Sequence, residues 1–447
     1  MRRSLLISPY FPPVGVSGTK RALHLSRHLT HFGWSPVVLT GAAVGEPIDE
    51  SLVECVPSQL MVSRKYSGKI RPWLQARKDK KKRKKRLNSK SNSTHAQVKK
   101  SSLWQRIKPK NMQYWLPFDR YWLDSKAGYQ AIKELLQQQP IEVIHVSADP
   151  WAPLAAAERI SREFNIPLVV DFRDPWSVHE GKMALRPQLT QWLLRRFEYR
   201  LFQQASAIIL NTETARDVYI DAYQGRIPSE RFFAVRNAFD RGLFRSTLDD
   251  HPEQATDIFT ALYFGRFRAF VSPELLFMGF AQFINERQLS PSQARLQIAG
   301  GLSAEHQALA DDCGIKEHLY LTDPIPFREC LPTLQAASAL VLVIEPECFM
   351  QIPGKLYDYF AAARPIIALS ANQEANRMIT EVGMGVAVDH LDLEAIAQAF
   401  SDCYDQWTDD QSPSAEHRAQ QVEPYSAMTQ ANQVADIYRT VCGEESL

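Results

Sequence analysis

Short apolar runs alternate with longer amphipathic stretches through most of this sequence, and that alternation restricts the fold more than any other feature. The apolar runs are rich in β-branched residues, as buried strands are, and they fall into two series. The predicted strands are 4–8, 35–40, 143–147, 167–172 and 207–210 in the first series, and 260–265, 294–300, 319–323, 338–344, 365–370 and 385–388 in the second. Helical patterns lie between them, including 18–32, 125–138, 151–164 and 187–204. The alternation predicts an α/β fold with parallel sheets.

The two strand series predict two domains, because 447 residues exceed what one hydrophobic core usually holds. We expect a first domain over 1–243, a polar linker over 244–258 and a second domain over 259–426. A last helical pattern, 427–441, follows both series, and its own residues do not assign it to either domain.

The net charge of +2 conceals a strongly basic segment at 64–110. This segment holds 19 Lys and Arg residues and one acid, a charge of +18 that leaves −16 for the rest of the chain. Its central part has almost no apolar residues, which predicts a disordered insert. Three interpretations stay open: contact with an anionic membrane face, a solvated insert without a partner and, least favoured, nucleic-acid binding. The flanking Trp73, Trp104 and Trp115 favour the membrane contact.

Targeting and redox signals are absent from the sequence. The longest apolar runs are far shorter than the roughly 20 residues of a membrane span, and no secretory signal pattern begins the chain. The six cysteines form no Cys-x-x-Cys pair or metal spacing, which favours reduced thiols and no structural zinc. The expected location is the cytoplasm, with peripheral contact at the inner face of the plasma membrane as a further hypothesis.

The first candidate site is the loop "SPYFPPVGVSGTKR" after the first predicted strand. Pro12 and Pro13 stiffen it, and Gly15 and Gly18 leave room for a ligand or another backbone segment. A helix N-terminus follows, which suits an anion. The glycine spacing is not Gly-x-Gly-x-x-Gly, and no acid follows the second strand before Glu46, which argues against NAD. A tight turn with glycines needed only for packing is the alternative.

The second candidate site is "DFRDPWS", at the carboxyl end of the predicted strand 167–172. Ligands of open parallel sheets bind at such ends, and Asp171, Arg173 and Asp174 form a charged group there. Asp174 before Pro175 is also a typical helix N-cap. Catalysis or acceptor orientation and simple capping both stay open.

The third candidate site lies in the second domain, where Arg266 and Arg268 follow its first strand and Gly354 and Lys355 begin a helix. A lysine beside a helix N-terminus is unfavourable by a few tenths of a kcal/mol unless an anion lies between them. We therefore expect Arg268, Lys355 and the free N–H groups near Gly354 to bind a diphosphate, with Asp358 one helical turn further on. A solvated Lys355 and an Asp358 that favours the helix dipole are the alternatives.

These motifs together resemble the nucleotide-sugar-dependent glycosyltransferases of family 4. The matching stretches are "SPYFPPVGVSGTKRALHLSRHLTHFGWSPVVLTG", "IPLVVDFRDPW", "VRNAFD", "YFGRF" and "IPGKLYDYFAAARPIIAL", in order from about residue 4 to 441. The resemblance is to the bacterial group with a Phe-Pro-Pro glycine loop and an Asp-Phe-Arg-Asp-Pro-Trp segment.

The resemblance implies a GT-B fold, in which two Rossmann-like domains face each other across a cleft. The first domain would bind the acceptor and the second the donor, and the last helix (427–447) would cross back to the first domain. It also implies transfer with retention of configuration and without a metal or cofactor. By position, Arg268 and Lys355 would bind the donor phosphates, and the Gly15–Gly18 loop would close over the donor. From the residues themselves we also expect Arg266 and Gly354 to bind the donor and Arg21 to add a cation.

Three positions depart from the family pattern. Asp358 takes the place of the second glutamate of the family's Glu-seven-residues-Glu motif, which holds the ribose. Met350 stands where the first glutamate belongs, with Glu345 and Glu347 as nearby substitutes. Arg173 stands where many relatives have a histidine.

The expected function is transfer of a sugar from a UDP- or GDP-sugar to an acceptor hydroxyl in cell-surface polysaccharide or lipid-linked glycan synthesis. Arg173 and Asp174 would align the acceptor. Two alternatives stay open: a nucleotide-sugar epimerase of the same fold, and a non-enzymatic subunit that binds membrane or a partner.

Overall fold

The computed structural model describes residues 1–44, 46–68, 72–73, 75–77, 80, 119–244, 257–267, 272–409 and 415–444. Most of the basic segment, most of the predicted linker and Arg268 lie outside these residues. The chain forms two compact units. The first comprises Met1–Asn211, Ala215–Val235 and Ala431–Leu447, and the second comprises Thr212–Thr214 and Arg236–Gln430. The division at Val235 precedes the expected domain end at 243.

The first unit contains a parallel sheet, which has seven strands among the described residues. The strands are β1 (Arg2–Ile7), β2 (Trp34–Leu39), β3 (Met61–Ser63), β4 (Val143–Ala148), β5 (Leu168–Phe172), β6 (Ala207–Leu210) and β7 (Phe232–Ala234). Their order is β3-β2-β1-β4-β5-β6-β7, and Leu5 of β1 pairs with Val37 on one side and Ile144 on the other. From β1 to β3 successive strands are added on one side of β1, and from β4 to β7 they are added on the other side. The strand order therefore changes direction between β1 and β4, and open parallel sheets bind ligands at such a point.

Central strands of this sheet are buried on both faces, which explains their continuous apolar sequences. All residues of β5 are buried, for example. The helices of this unit are Ser17–His28, Ser125–Gln138, Pro153–Phe164, Glu180–Ala184, Gln188–Gln204, most of Glu213–Ala222 and most of Ala427–Val441. Pro153–Phe164 begins at a proline and ends at Asn165 in the left-handed conformation, with φ of 51°, as typical helix boundaries do.

The second unit contains a parallel sheet with six strands in the described part of the chain. They are β8 (Phe259–Phe264), β9 (Ala294–Ala299), β10 (Leu319–Thr322), β11 (Ala339–Ile344), β12 (Ile366–Ser370) and β13 (Gly385–Val388), in the order β10-β9-β8-β11-β12-β13. The strand order of this sheet changes direction between β8 and β11. The helices are Glu274–Glu286, Ala304–Asp312, Cys330–Gln335, Gly354–Ala362, Gln373–Glu381, Leu393–Thr408 and Ala415–Gln421.

The predicted α/β fold is confirmed, and each predicted strand matches an observed one to within two residues at either end. The sequence did not predict β3 and β7. Each has only three residues and lies at an edge of the first sheet, too short for an alternating pattern to show.

The C-terminal helix Ala427–Val441 belongs mainly to the first unit. The Tyr438 ring is fully buried, its centroid lies 5.0 Å from that of Trp34, and its hydroxyl is 2.8 Å from His145 Nδ1. Arg439 donates to the carbonyl of Phe32. These contacts join the end of the chain to β2 and β4.

Candidate functional site

The first cluster of candidate residues surrounds Arg173, directly after β5. A Cβ atom on Gly18 would overlap the Arg173 guanidinium, so this glycine provides the space that the arginine occupies. Arg173 Nη2 donates to Asp149 Oδ1 over 3.1 Å, and its guanidinium carbon lies 5.3 Å from the Tyr10 ring centre. Gly18, Asp149, Arg173 and Tyr10, the Arg173 cluster, lie at the carboxyl edge of β1, β4 and β5.

The electrostatics of this cluster depend on Asp149. Burial raises the pKa of Asp149, and the charge of Arg173 partly opposes that increase. Asp149 was not among the residues predicted from the sequence. It follows β4 directly, at a strand end where ligand-binding residues of parallel sheets lie.

Gly15, the other glycine of this loop, also makes a close contact within the chain. A Cβ at Gly15 would lie 2.8 Å from that of Asp49, and the Gly15 N–H donates to the Pro47 carbonyl over 2.9 Å. The packing alternative from the sequence thus explains both glycines. Donor closure by the Gly15–Gly18 loop stays a prediction.

Asp174 does not cap a helix, so the capping interpretation is wrong. The next helix begins at Glu180, and the His179 side chain accepts from Lys182 N–H at its N-terminus. Residues 174–179 instead form a non-helical segment in which Asp174 is half-buried. Buried contacts further along hold this segment in place.

Those contacts converge on Glu198, a buried carboxylate in helix Gln188–Gln204. It accepts hydrogen bonds from the N–H and hydroxyl of Ser177 and from the hydroxyls of Tyr219 (3.1 Å) and Tyr223 (2.6 Å). The Tyr219 hydroxyl in turn accepts from the Trp176 N–H over 2.8 Å. Burial raises the pKa of Glu198, and these hydrogen bonds partly oppose that increase. Glu198 is a positioning residue that the sequence pattern did not reveal.

Asp171 and Arg21 belong to the interior, which corrects two expectations. Arg21 Nε lies 2.6 Å from Asp171 Oδ2, and both side chains are almost completely buried. His145 Nε2 approaches the same oxygen at 3.2 Å. Burial alone would raise the pKa of Asp171, but Arg21 and His145 outweigh it and hold that pKa well below its usual range. Asp171 is therefore not part of the charged group that was predicted with Arg173 and Asp174. Arg21 pairs with Asp171 in the interior and is not an additional cation for a donor.

In the second unit, Lys355 lies at the carboxyl end of β8. Its Nζ is 4.0 Å from the Tyr263 ring centre and 3.1 Å from the position of a Cβ on Gly265. Gly265 has φ of +99°, a conformation that favours glycine. One helical turn after Lys355, the Tyr359 hydroxyl accepts from Phe264 N–H and donates to the Val341 carbonyl. Helix Gly354–Ala362 is thereby fixed against the end of β8.

Other predicted donor residues lie around the same strand end. Arg266 is the second residue after β8, is exposed and donates through Nε to the Gly300 carbonyl over 3.0 Å. Gly354 is exposed, and no side chain caps its helix in the described structure. Asp358 is buried. Arg266 and Lys355 both lie next to Gly265, at the end of β8. Donor binding by Arg266, Gly354 and Lys355 stays a prediction, and Arg268 lies outside the described residues.

The position of the family's first glutamate is buried and apolar. Met350 is only 3% exposed. Glu345 follows β11 directly and is half-buried, and burial together with the nearby Glu347 raises its pKa. Because β11 neighbours β8, Glu345 is the better placed substitute, while Glu347 is exposed.

The described residues contain no group of three or more His, Cys, Asp and Glu residues that could hold a metal ion. No helix in this part of the chain is both long and apolar enough to span a bilayer.

Comparison with known proteins relates the first part of this chain to a family. Residues 18–238 match the model of the glycosyl transferase 4-like domain. A search of curated protein sequences gave no match.

Solved structures of similar fold cover nearly the whole chain. Sucrose-phosphate synthase from Thermosynechococcus elongatus has a TM-score of 0.64 and 15% identity, covering 99% of both chains. A glycosyltransferase from Rickettsia africae has a TM-score of 0.61 and 12% identity, over 100% of this chain and 99% of that one. Anabaena Alr3699/HepE in complex with UDP has a TM-score of 0.60 and 13% identity, over 98% of this chain and 100% of that one.

The fold is therefore of the GT-B class, with one Rossmann-like sheet in each unit. Within that class, the chain is a glycosyltransferase family 4-like protein whose family domain spans residues 18–238. The resemblance found in the sequence is confirmed at this level.

Proposed function

We propose that this protein is a retaining glycosyltransferase that moves a sugar from a nucleoside-diphosphate sugar to an acceptor hydroxyl. The acceptor belongs to cell-surface polysaccharide or lipid-linked glycan synthesis. Complexes of the Anabaena neighbour with UDP and with UDP-glucose support a nucleotide-sugar donor.

The observation that most supports this proposal is the group of cations at the carboxyl end of β8. Lys355 lies beside Gly265, Arg266 follows, and the uncapped helix N-terminus at Gly354 is exposed nearby. Backbone N–H groups and fixed cations together bind phosphate well. The reversal of strand order between β8 and β11 puts this group where α/β sheets bind ligands.

In the proposed reaction, charge develops on the donor diphosphate as the glycosidic bond breaks. Lys355 and Arg266 stabilise that charge, with Arg268 as a further predicted cation, and Asp358 binds the ribose. A departing phosphate oxygen accepts the proton of the acceptor hydroxyl, while Arg173 and Asp174 orient the acceptor. This mechanism needs neither a metal ion nor a cofactor.

The test is a transfer assay with UDP- and GDP-sugars, in which NMR reads the anomeric configuration of the product. Lys355→Ala should raise the barrier to transfer by about 2 to 4 kcal/mol, as loss of a preorganised charge does. Lys316→Ala is the matched control, because Lys316 is an exposed lysine of the same unit, paired with Asp311. Equal turnover in both variants, or an inverted product, would contradict the proposal.

The epimerase alternative is tested with the donor alone. A putative UDP-N-acetylglucosamine 2-epimerase from Listeria monocytogenes shares the fold at a TM-score of 0.51 and 11% identity. Epimerisation needs no acceptor, so an isomerised sugar after incubation with the donor alone would favour this alternative.

A further inference from the structure

An exposed apolar and basic surface on the first unit is unused by the proposed reaction. Its apolar part consists of Leu185, Leu189, Trp192 and Leu193, of which Leu189 is 68% and Trp192 is 54% exposed. We call these four residues and the cations beside them the 185–200 face. Side chains of this size rarely cluster on a surface that meets only water.

The sequence of helix Gln188–Gln204 separates the two kinds of residue along its axis. Leu189, Trp192 and Leu193 lie in its first half, and Arg195, Arg196 and Arg200 follow in its second half on the same solvent-exposed side. The buried side of the helix is formed by other residues, including Leu194, Leu201 and Phe202. The exposed leucines and tryptophan are therefore additional to those that the core requires.

Positive charge dominates this surface. Residues 180–204 contain five Lys and Arg residues, and their only exposed acid is Glu180, because Glu198 is buried. The Arg196 guanidinium carbon lies 5.5 Å from the Trp192 ring centre. Beside them is a shallow depression lined by Trp192, Arg195, Arg196, Tyr199 and Arg226.

We propose that the 185–200 face docks on an anionic lipid surface. The leucines and Trp192 insert into the boundary between headgroups and acyl chains, and the arginines bind lipid phosphates. About 10 Å of helix separates Leu189 from Arg196, so the arginines can reach lipid phosphates while the apolar side chains lie deeper. Tryptophan is also enriched at that boundary.

The charge pattern disfavours a second copy of this chain as the occupant. In a two-fold symmetric dimer the same patch meets itself, so Arg195 and Arg196 would lie close to the same arginines of the other copy. An anionic bilayer instead provides phosphates to each of them, at about 1 kcal/mol for each nearby cation.

This surface is distinct from the basic segment 64–110, for which the sequence also suggested membrane contact. It combines apolar with basic side chains, and its docking does not depend on the proposed sugar transfer. Two sets of variants distinguish the two candidate contacts.

The experiment is vesicle co-sedimentation of the full chain, using phosphatidylcholine alone and phosphatidylcholine mixed with phosphatidylglycerol, at low and high salt. Leu189→Gln combined with Trp192→Gln should lower the partition coefficient on mixed vesicles by about tenfold or more, since each apolar side chain loses its burial. Arg195→Gln with Arg196→Gln should lower it by about fivefold for each arginine, at low salt only.

The control is Leu391→Gln, which removes an equally exposed leucine (68%) from the second unit and should leave binding unchanged. In a chain lacking 76–100, binding should still depend on Leu189 and Trp192. Wild-type binding by Leu189→Gln/Trp192→Gln would overturn the proposal. So would a failure of the wild type to bind mixed vesicles, or a dimer in sedimentation velocity that these substitutions dissociate.

Discussion

Arg21 and Asp171 form a buried ion pair in the first unit, and we expect this pair to contribute to its stability. Arg21→Met leaves the Asp171 carboxylate buried without its guanidinium, which should lower the free energy of unfolding by about 3–5 kcal/mol. Urea unfolding at neutral pH measures this loss. Arg27→Met is the control, because Arg27 belongs to the same helix and donates from a partly buried position to the Cys55 carbonyl.

The same pair predicts a pH dependence. The pKa of Asp171 is lowered in the folded state, so its contribution is full above the unfolded pKa of about 4 and is lost as pH falls through the folded value. Asp171→Asn should therefore lose more stability at neutral pH than in acid. Equal losses at pH values on both sides of about 4 would contradict this assignment.

Gly18 and Arg173 give a second prediction at the residue scale. The Cβ of Gly18→Ala would overlap only the guanidinium end of a flexible side chain, so the substitution should displace Arg173 at little cost in stability. If Arg173 orients the acceptor, Gly18→Ala and Arg173→Ala should reduce transfer to a similar extent, by about tenfold or more. Gly181→Ala is the control, since its Cβ would make only ordinary contacts, the closest at 3.5 Å. Wild-type transfer by Gly18→Ala would exclude this role of the arginine.

At the scale of elements, the 174–179 segment depends on Glu198. Glu198→Ala leaves the hydroxyls of Ser177, Tyr219 and Tyr223 without their acceptor. The loss should be about 3 kcal/mol of unfolding free energy, with faster amide hydrogen exchange at Trp176 and Ser177. Glu230→Ala, at an exposed acid of the same unit, should change neither quantity. Unchanged exchange in Glu198→Ala would show that the segment is held in another way.

Helices and strands with a long periodic sequence pattern could be predicted, but the unit against which each one packs could not. The helix 427–441 was predicted with its observed bounds, because its sequence has the helical period throughout. Its place on the first unit depends on contacts such as Tyr438 with His145, 293 positions apart in sequence. No local pattern carries that information.

The same limit applies to the site. Lys355 and Arg266 could be chosen as candidates because they follow a strand end or begin a helix, positions visible in the sequence. Arg21 was expected to be a cation near the donor, but it is buried beside Asp171. That contact joins residues 150 positions apart, so the local sequence does not reveal it. Asp174 before Pro175 matched a helix-start pattern, but the contacts around Glu198 hold the following residues in another conformation.

At the scale of the whole molecule, the end of the chain contributes to the stability of the first unit. Tyr438→Phe removes the hydroxyl that contacts buried His145 Nδ1, which should lower the unfolding free energy by about 1–2 kcal/mol. Deleting 431–447 should have a larger effect, because it also exposes the residues that pack against Trp34. Differential scanning calorimetry measures both changes. Equal stability of the truncated and full chains would contradict this role.

The proposed function depends on the binding of a nucleoside diphosphate at the carboxyl end of β8. Titration calorimetry of the wild type with UDP, GDP, ADP and TDP tests it most directly, with Lys355→Ala and Lys316→Ala measured in parallel. We expect at least one nucleotide to bind, with an affinity that Lys355→Ala lowers by about tenfold or more and that Lys316→Ala leaves unchanged. Absence of binding to all four nucleotides, or equal affinity in the wild type and Lys355→Ala, would show that this end of β8 is not a nucleotide site.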